Sequence, residues 1–161
     1  MAAKLNITAA DIENLNKLDN NVSEKKEWVD IPFGDYEVTL KSAKCKVCDP
    51  DARHDEEYYR VVLGFHILNG EYADENIYYV QNLDQVWMLK NANKFIASLK
   101  PNVDMIPNRY VTDGEFDVMK YNDMLEEIYD DVTARGLEYH LVLAPNSKGF
   151  KTYTIAEVFD E

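Results

Sequence analysis

The chain of 161 residues is 46% apolar, enough for one domain with a core of its own. Its 30 acidic and 17 basic side chains give a net charge of −13, which excludes a protein that coats nucleic acid through bulk charge. No apolar run reaches the roughly 18 residues of a membrane span. The first residues lack the basic start and apolar centre of a signal peptide, so a cytoplasmic protein with no membrane partner is expected. The acidity is regional. Residues 115–135 hold two basic and seven acidic side chains, a net of −5, whereas residues 82–114 hold four basic and three acidic, a net of +1. A locally basic surface is therefore compatible with an acidic chain.

Residues 1–27 are polar and read as an N-terminal arm. Within it, Thr8 would cap a short helix over residues 9–18, with Ile12, Leu15 and Leu18 as its stripe. The alternative is an arm that orders only on contact. Residues 28–161 form the domain proper. Tyr36, Val38 and Leu40 alternate with Glu37, Thr39 and Lys41, the period of a half-buried strand. Ala43, Cys45 and Val47 continue in the opposite phase, which predicts a bulge or bend near Ser42. Residues 48–57 are charged, contain Pro50 and read as a loop.

A second strand follows over residues 58–68. Tyr59, Val61, Leu63, Phe65 and Ile67 share one face; Tyr58, Arg60, Val62, Gly64 and His66 share the other. Gly64 in mid-strand points to a bend or to close approach of another segment. Asn69-Gly70 signals a hairpin, with the partner strand over residues 76–81. From residue 84 to 99 the period becomes helical, through Met88, Ala92, Phe95, Ile96 and Leu99, and Pro101 stops the helix. A second helix over residues 121–133 presents Tyr121, Leu125, Ile128, Tyr129 and Val132 on one side and Asp123, Glu126, Glu127, Asp130 and Asp131 on the other. Gly136 ends it. The chain closes with a hairpin over residues 137–159, turned by Pro145-Asn-Ser-Lys-Gly149. The fold class is mainly β with a helical insertion: a small, strongly bent antiparallel sheet of five strands.

No Gly-rich phosphate loop, Gly-x-Ser-x-Gly elbow or His-Glu-x-x-His helix is present, and no carboxylate spacing marks a catalytic pair. A non-catalytic protein without a cofactor is expected. Cys45 and Cys48 form a Cys-x-x-Cys pair, half of a zinc site or a redox dithiol. A zinc site would need two more ligands, and His54, His66 and His140 are the histidines available. Two ordinary cysteines are the simpler reading.

Aromatic residues beside basic ones are the better clue. Tyr58 lies two residues before Arg60, Tyr78 and Tyr79 adjoin on the next strand, and Phe150-Lys151 follows Lys148 on the last hairpin. Single-stranded nucleic acid is held by rings that stack on bases and by cations that track phosphates. Tyrosines are also ordinary strand residues with one wet end, and the set rather than any one of them favours binding.

The chain resembles a family of single-stranded DNA-binding proteins encoded by phages of Gram-positive bacteria. The likeness rests on Trp28, Ile31-Pro-Phe-Gly-Asp-Tyr-Glu-Val38, Phe65-His-Ile-Leu-Asn-Gly-Glu-Tyr72, Leu137-Glu-Tyr-His140, Ser147-Lys-Gly-Phe150 and Ile155-Ala-Glu-Val-Phe159. The resemblance implies an OB-fold-like five-stranded barrel with helices between strands three and four. It also implies a role in phage or prophage DNA replication or recombination inside a bacterial host, with replication or recombination proteins as partners. Under this reading Lys41, Lys44, Lys46, Arg60, Lys148 and Lys151 are candidates for phosphate contacts, and Tyr58, Tyr78 and Phe150 for base stacking. Pairing of two copies through a sheet edge is compatible with the fold. The chain departs from the family in its loop from Cys45 to Glu57, which is longer and more acidic; Asp49, Asp51, Asp55, Glu56 and Glu57 would oppose a phosphate backbone. The rival reading is an acidic protein-interaction module, a DNA mimic included, working through the helix at residues 121–133.

Overall fold

Residue alternation in the middle of the chain builds a five-stranded antiparallel sheet. The computed structural model describes residues 30–159. The chain divides into two units, Met1–Ile31 and Pro32–Glu161, and every element below belongs to the second. The expected N-terminal arm, its helix and Trp28 lie outside the described residues. In chain order the elements are β1 (Gly34–Cys48), β2 (Tyr58–Ile67), β3 (Asn76–Asn82), α1 (Val86–Ala97), the short ribbon of β4 (Val111–Thr112) and β5 (Glu115–Phe116), α2 (Val118–Ala134), β6 (Glu138–Pro145) and β7 (Lys151–Phe159). The strand order is β3-β2-β1-β6-β7, with both helices inserted between β3 and β6. No helix among the described residues is long and apolar enough to cross a membrane.

β1 is long because it serves two partners. Residues 34–38 pair with β6, and residues 38–48 pair with β2. The register slips between Leu40 and Ser42, where the phase change in the sequence places a bulge, and Lys41 is the extra residue. Gly64 sits opposite Ser42. A Cβ on Gly64 would lie 2.5 Å from Ser42 Oγ and 3.2 Å from the Tyr78 ring, so close approach of the flanking strands is what requires glycine here.

Beyond Val38 the far edge of β1 has no strand beside it among the described residues. Asn122 of α2 takes that role at Cys45: its Oδ1 accepts from the Cys45 N–H at 2.7 Å, and its Nδ2 donates to the Cys45 carbonyl at 2.8 Å. One amide thus satisfies both backbone groups of an otherwise open edge.

The apolar face of β2 supplies the centre of the core; Val61, Leu63, Phe65 and Ile67 are each 0% exposed. α2 buries Tyr121, Leu125, Ile128 and Val132 at helical spacing, and Met124 with them. α1 buries Ala92, Phe95 and Ile96. The Phe95 ring stacks on Tyr79 of β3 at 4.2 Å, and Tyr153 of β7 meets Tyr79 edge-on at 5.4 Å. Tyr139 of β6 donates to the carbonyl of Leu99, just past α1, at 2.8 Å.

The sheet is five-stranded and antiparallel, as expected; among the described residues β3 and β7 are the edges of its hydrogen-bonded ladder, and the Tyr79 and Tyr153 rings of these edge strands meet. The partner strand expected over residues 76–81 is β3, which Asn69-Gly70 reaches through a longer connection. Gly70 and Asp74 both take positive φ, and a further turn over residues 71–74 intervenes before β3.

Candidate nucleic-acid interface

The second face of β1, β2 and β3 is read directly from the register. Lys46, Arg60 and Asn82 form one row across the three strands; Lys44, Val62 and Val80 form the next; Ser42, Gly64 and Tyr78 form the third. Side chains of alternate residues share a face, and neighbouring strands lie about 4.8 Å apart, so these rows make one continuous surface. Lys44, Lys46, Tyr78 and Val80 are exposed on it. The missing side chain at Gly64 lets the Tyr78 ring lean across the sheet, with 45% of the residue open to solvent.

Arg60 is held in place by neutral partners. Its Nε donates to Asn82 Oδ1 at 2.8 Å and one Nη to the Tyr58 hydroxyl at 3.2 Å, with the guanidinium 5.6 Å from the centre of the Tyr58 ring. No carboxylate neutralises Arg60, Lys44 or Lys46 among the described residues.

The loop between β1 and β2 folds onto the end of this surface. The Asp51 carboxylate accepts from the backbone N–H of Arg53 at 2.9 Å and from the Tyr58 hydroxyl at 2.7 Å. His54 bonds Asp51 through Nδ1 at 2.8 Å and Asp84 through Nε2 at 2.9 Å, and its ring stacks on Tyr58 at 3.6 Å. Hydrogen bonds to Asp84 and then Asp51 raise the His54 pKa. Those from His54, Tyr58 and Arg53 hold Asp51 well below the usual carboxylate range. The bond to Asp51 chiefly pushes the Tyr58 phenol up to about 12.

Of the residues named from sequence, the structure gathers Lys44, Lys46, Arg60, Tyr58 and Tyr78 on one face. Tyr58 needs correction as a stacking ring: it is 9% exposed and already covered by His54. Lys41 also stands apart. As the bulge residue it belongs to none of these rows and lines a cleft of about 600 Å³ with Tyr129, Thr133 and Glu138. Lys148, Phe150 and Lys151 lie on the β6–β7 hairpin, all exposed, Phe150 by 67%. Phe150 and Lys151 precede Tyr153 by three and two residues. At about 3.3 Å per residue, its contact with Tyr79 carries that hairpin to the vicinity of the β3 edge.

Arg53, His54 and Asn82 were not singled out as binding residues from sequence. The first two are basic residues embedded in an otherwise acidic loop, and Asp51 two residues before Arg53 is the pattern of an Asx-turn; together these were the available signal. Arg53, His54, Arg60, Val80, Asn82 and Met88 help line a groove of about 450 Å³. Asp55, Glu56 and Glu57 line a separate cleft beside His54.

The Cys-x-x-Cys pair supports no chelate. Residues three apart on a strand point to opposite faces. Cys45 is buried, and burial pushes its thiol up to about 12. Among the described residues no three His, Cys, Asp or Glu side chains gather as a metal site requires.

No family model matches this chain, and no curated protein matches it.

Proposed function

We propose that this protein binds single-stranded DNA on the outer face of β1, β2 and β3, without catalysis and with little sequence preference. The observation that carries the reading is a surface of cations, Lys44, Lys46 and Arg60, that form no ion pair among the described residues and are set beside the exposed Tyr78 ring in a chain of net charge −13. Cations and an open aromatic ring on one sheet face are what a flexible, base-exposing strand needs. Phe150 and Lys151 extend the surface from the β6–β7 hairpin. In this reading the sheet is an OB-fold-like barrel with an open seam. Support comes from the order β3-β2-β1-β6-β7, from the bulged β1 shared between two partners, and from the Tyr79–Tyr153 contact between the edge strands. Such a fold presents its second and third strands to nucleic acid. From the resemblance to phage single-stranded DNA-binding proteins we infer a role in replication or recombination in a bacterial host, where partner proteins would be recruited.

A titration of a fluorescent oligothymidine, followed by anisotropy at low and moderate salt with duplex as competitor, tests the proposal. Saturable binding that duplex does not compete for is expected. Its affinity should fall with salt at a log–log slope of about −0.7 per phosphate neutralised. Absence of binding at low salt would sink the proposal and favour the second reading, a protein-interaction module. That reading has its own observation, Asp123, Glu126 and Asp130 on α2, exposed and without an ion pair among the described residues.

A further inference from the structure

The groove at the end of β2 and β3 is more than a continuation of the cationic face. Two guanidinium groups line it, Arg53 from the β1–β2 loop and Arg60 from β2, and neither forms an ion pair with a carboxylate among the described residues. One carboxylate, Asp84, lines the groove and a second, Asp51, stands beside it; His54 engages both, one from either side of its ring. An incoming anion therefore meets two arginines whose closest competitors are already occupied. Arg60 needs no rearrangement to receive it, because Asn82 and Tyr58 fix its fork. Arginine in that state is suited to bidentate recognition of phosphate. The rest of the lining is His54 with its partner Asp84, the apolar Val80 and Met88, and the amides of Gln81 and Asn82. Its volume of about 450 Å³ falls in the range of small-molecule sites.

We propose that this groove is an anchor subsite for one nucleotide of the bound strand, its phosphate between Arg53 and Arg60 and its base against Val80 and Met88. The inference rests on the single-stranded DNA reading, but it makes a separable claim. The sheet face as a whole would bind diffusely, whereas this groove recognises one phosphorylated nucleotide unit by shape and charge together.

The test uses the full chain and two probes, thymidine 5′-monophosphate and thymidine, followed by NMR on the Val80 and Met88 methyl groups. The monophosphate should shift both methyl groups saturably and bind at least about tenfold tighter than the nucleoside, the scale of a charge-assisted hydrogen bond. Arg53→Ala and Arg60→Gln should each remove that preference. Arg60→Lys should retain part of it, since the charge remains and the fork is lost. A thermal melt of each variant separates loss of binding from loss of fold, and Arg53→Ala, in an exposed loop, is the variant expected to melt like the parent. Absence of shifts at Val80 and Met88, or equal binding of monophosphate and nucleoside, would overturn the subsite. If the monophosphate seats in the groove while oligothymidine fails to bind, the subsite stands and the single-stranded DNA reading falls. If the oligonucleotide binds while the groove stays silent, the reverse holds.

Discussion

Two surfaces of this protein carry opposite charge, and their arginines stand in opposite states of pairing. On the sheet face and its adjoining loop, Lys44, Lys46, Arg53 and Arg60 have no carboxylate partner among the described residues, and Arg60 is oriented by an amide and a phenol instead. On the helical side the arginines are neutralised: Arg109 pairs with Glu127 of α2, and Arg135 with Asp131 at 2.7 Å. The acids left over there, Asp123, Glu126 and Asp130, face solvent. A chain with 30 acidic side chains had ample means to neutralise its sheet face. Net charge therefore describes neither surface, and the distribution of unpaired groups separates a candidate binding face from a solvated one.

The largest expected effect breaks that contrast outright. The triple variant Lys44→Ala, Lys46→Ala and Arg60→Gln removes three unpaired cations. At about 1 kcal/mol per exposed charge contact, affinity for oligothymidine should fall by roughly a hundredfold. The salt slope should shrink by about 2. The matching triple on α2, Asp123→Asn, Glu126→Gln and Asp130→Asn, should leave binding unchanged or slightly tighter. The reverse pattern in the same anisotropy assay would move the working surface to the helix.

Next in size is the ring. Tyr78→Ala should weaken binding by about 1–3 kcal/mol, the typical loss of a base-stacking aromatic, while Tyr78→Phe should be close to neutral. Tyr58→Ala belongs to a different class. It strips the His54 stack, the Asp51 hydrogen bond and the Arg60 contact, so its first effect should be a lowered melting temperature. If Tyr58→Ala melts like the parent but loses DNA, the assignment of the two rings is inverted.

Gly64 links packing to the site. Gly64→Ala must displace Ser42 or Tyr78, at a cost of about 1–3 kcal/mol in stability for an overpacked position. Adding Ser42→Gly removes the nearer obstacle and should recover part of the loss in denaturant unfolding. Failure of that rescue would mean that the Tyr78 ring, not Ser42 Oγ, sets the limit.

Much of this was legible in the sequence for local reasons. Strict alternation at Val61, Leu63, Phe65 and Ile67 identified the core face of β2, and the phase slip after Leu40 marked the bulge. Spacing near 3.6 residues found α1 and α2. Tyr58 shows where that logic ends. Alternation puts it on the outer face, where it is, but nothing local says that residues 51–54 fold back and lay His54 on its ring. The same holds for Asn122, an unremarkable polar residue on a helix until β1 needs a partner at Cys45. The meeting of Tyr79 and Tyr153 is likewise a property of sheet curvature, which alternation does not encode.

The smallest expected effect is a response to pH, and it distinguishes the two surfaces by sign. Bonds to Asp84 and Asp51 raise the His54 pKa above its ordinary 6.5. The protonated ring is the form the folded state favours. Its contribution is fully present below the ordinary value and is lost as pH rises through the raised one. The other charged or titratable groups around it are Tyr58 on β2, Arg53 and Arg60 lining the shared groove, and Asp55, Glu56 and Glu57 lining the cleft beside it. On α2 the sign is opposite. The Asn102 N–H and then Arg135 lower the Asp131 pKa below its ordinary 3.8. Its contribution holds above that value and is lost as pH falls through the lowered one. The clasp over the sheet face should therefore loosen on the alkaline side, and the α2 anchor on the acid side. Comparing the parent with His54→Gln, the difference in melting temperature should shrink from pH 5.5 to pH 9. For Asp131→Asn it should persist across that range and shrink only in acid. A His54→Gln difference that grows with pH would mean that the neutral imidazole holds the clasp, donating through one ring nitrogen only.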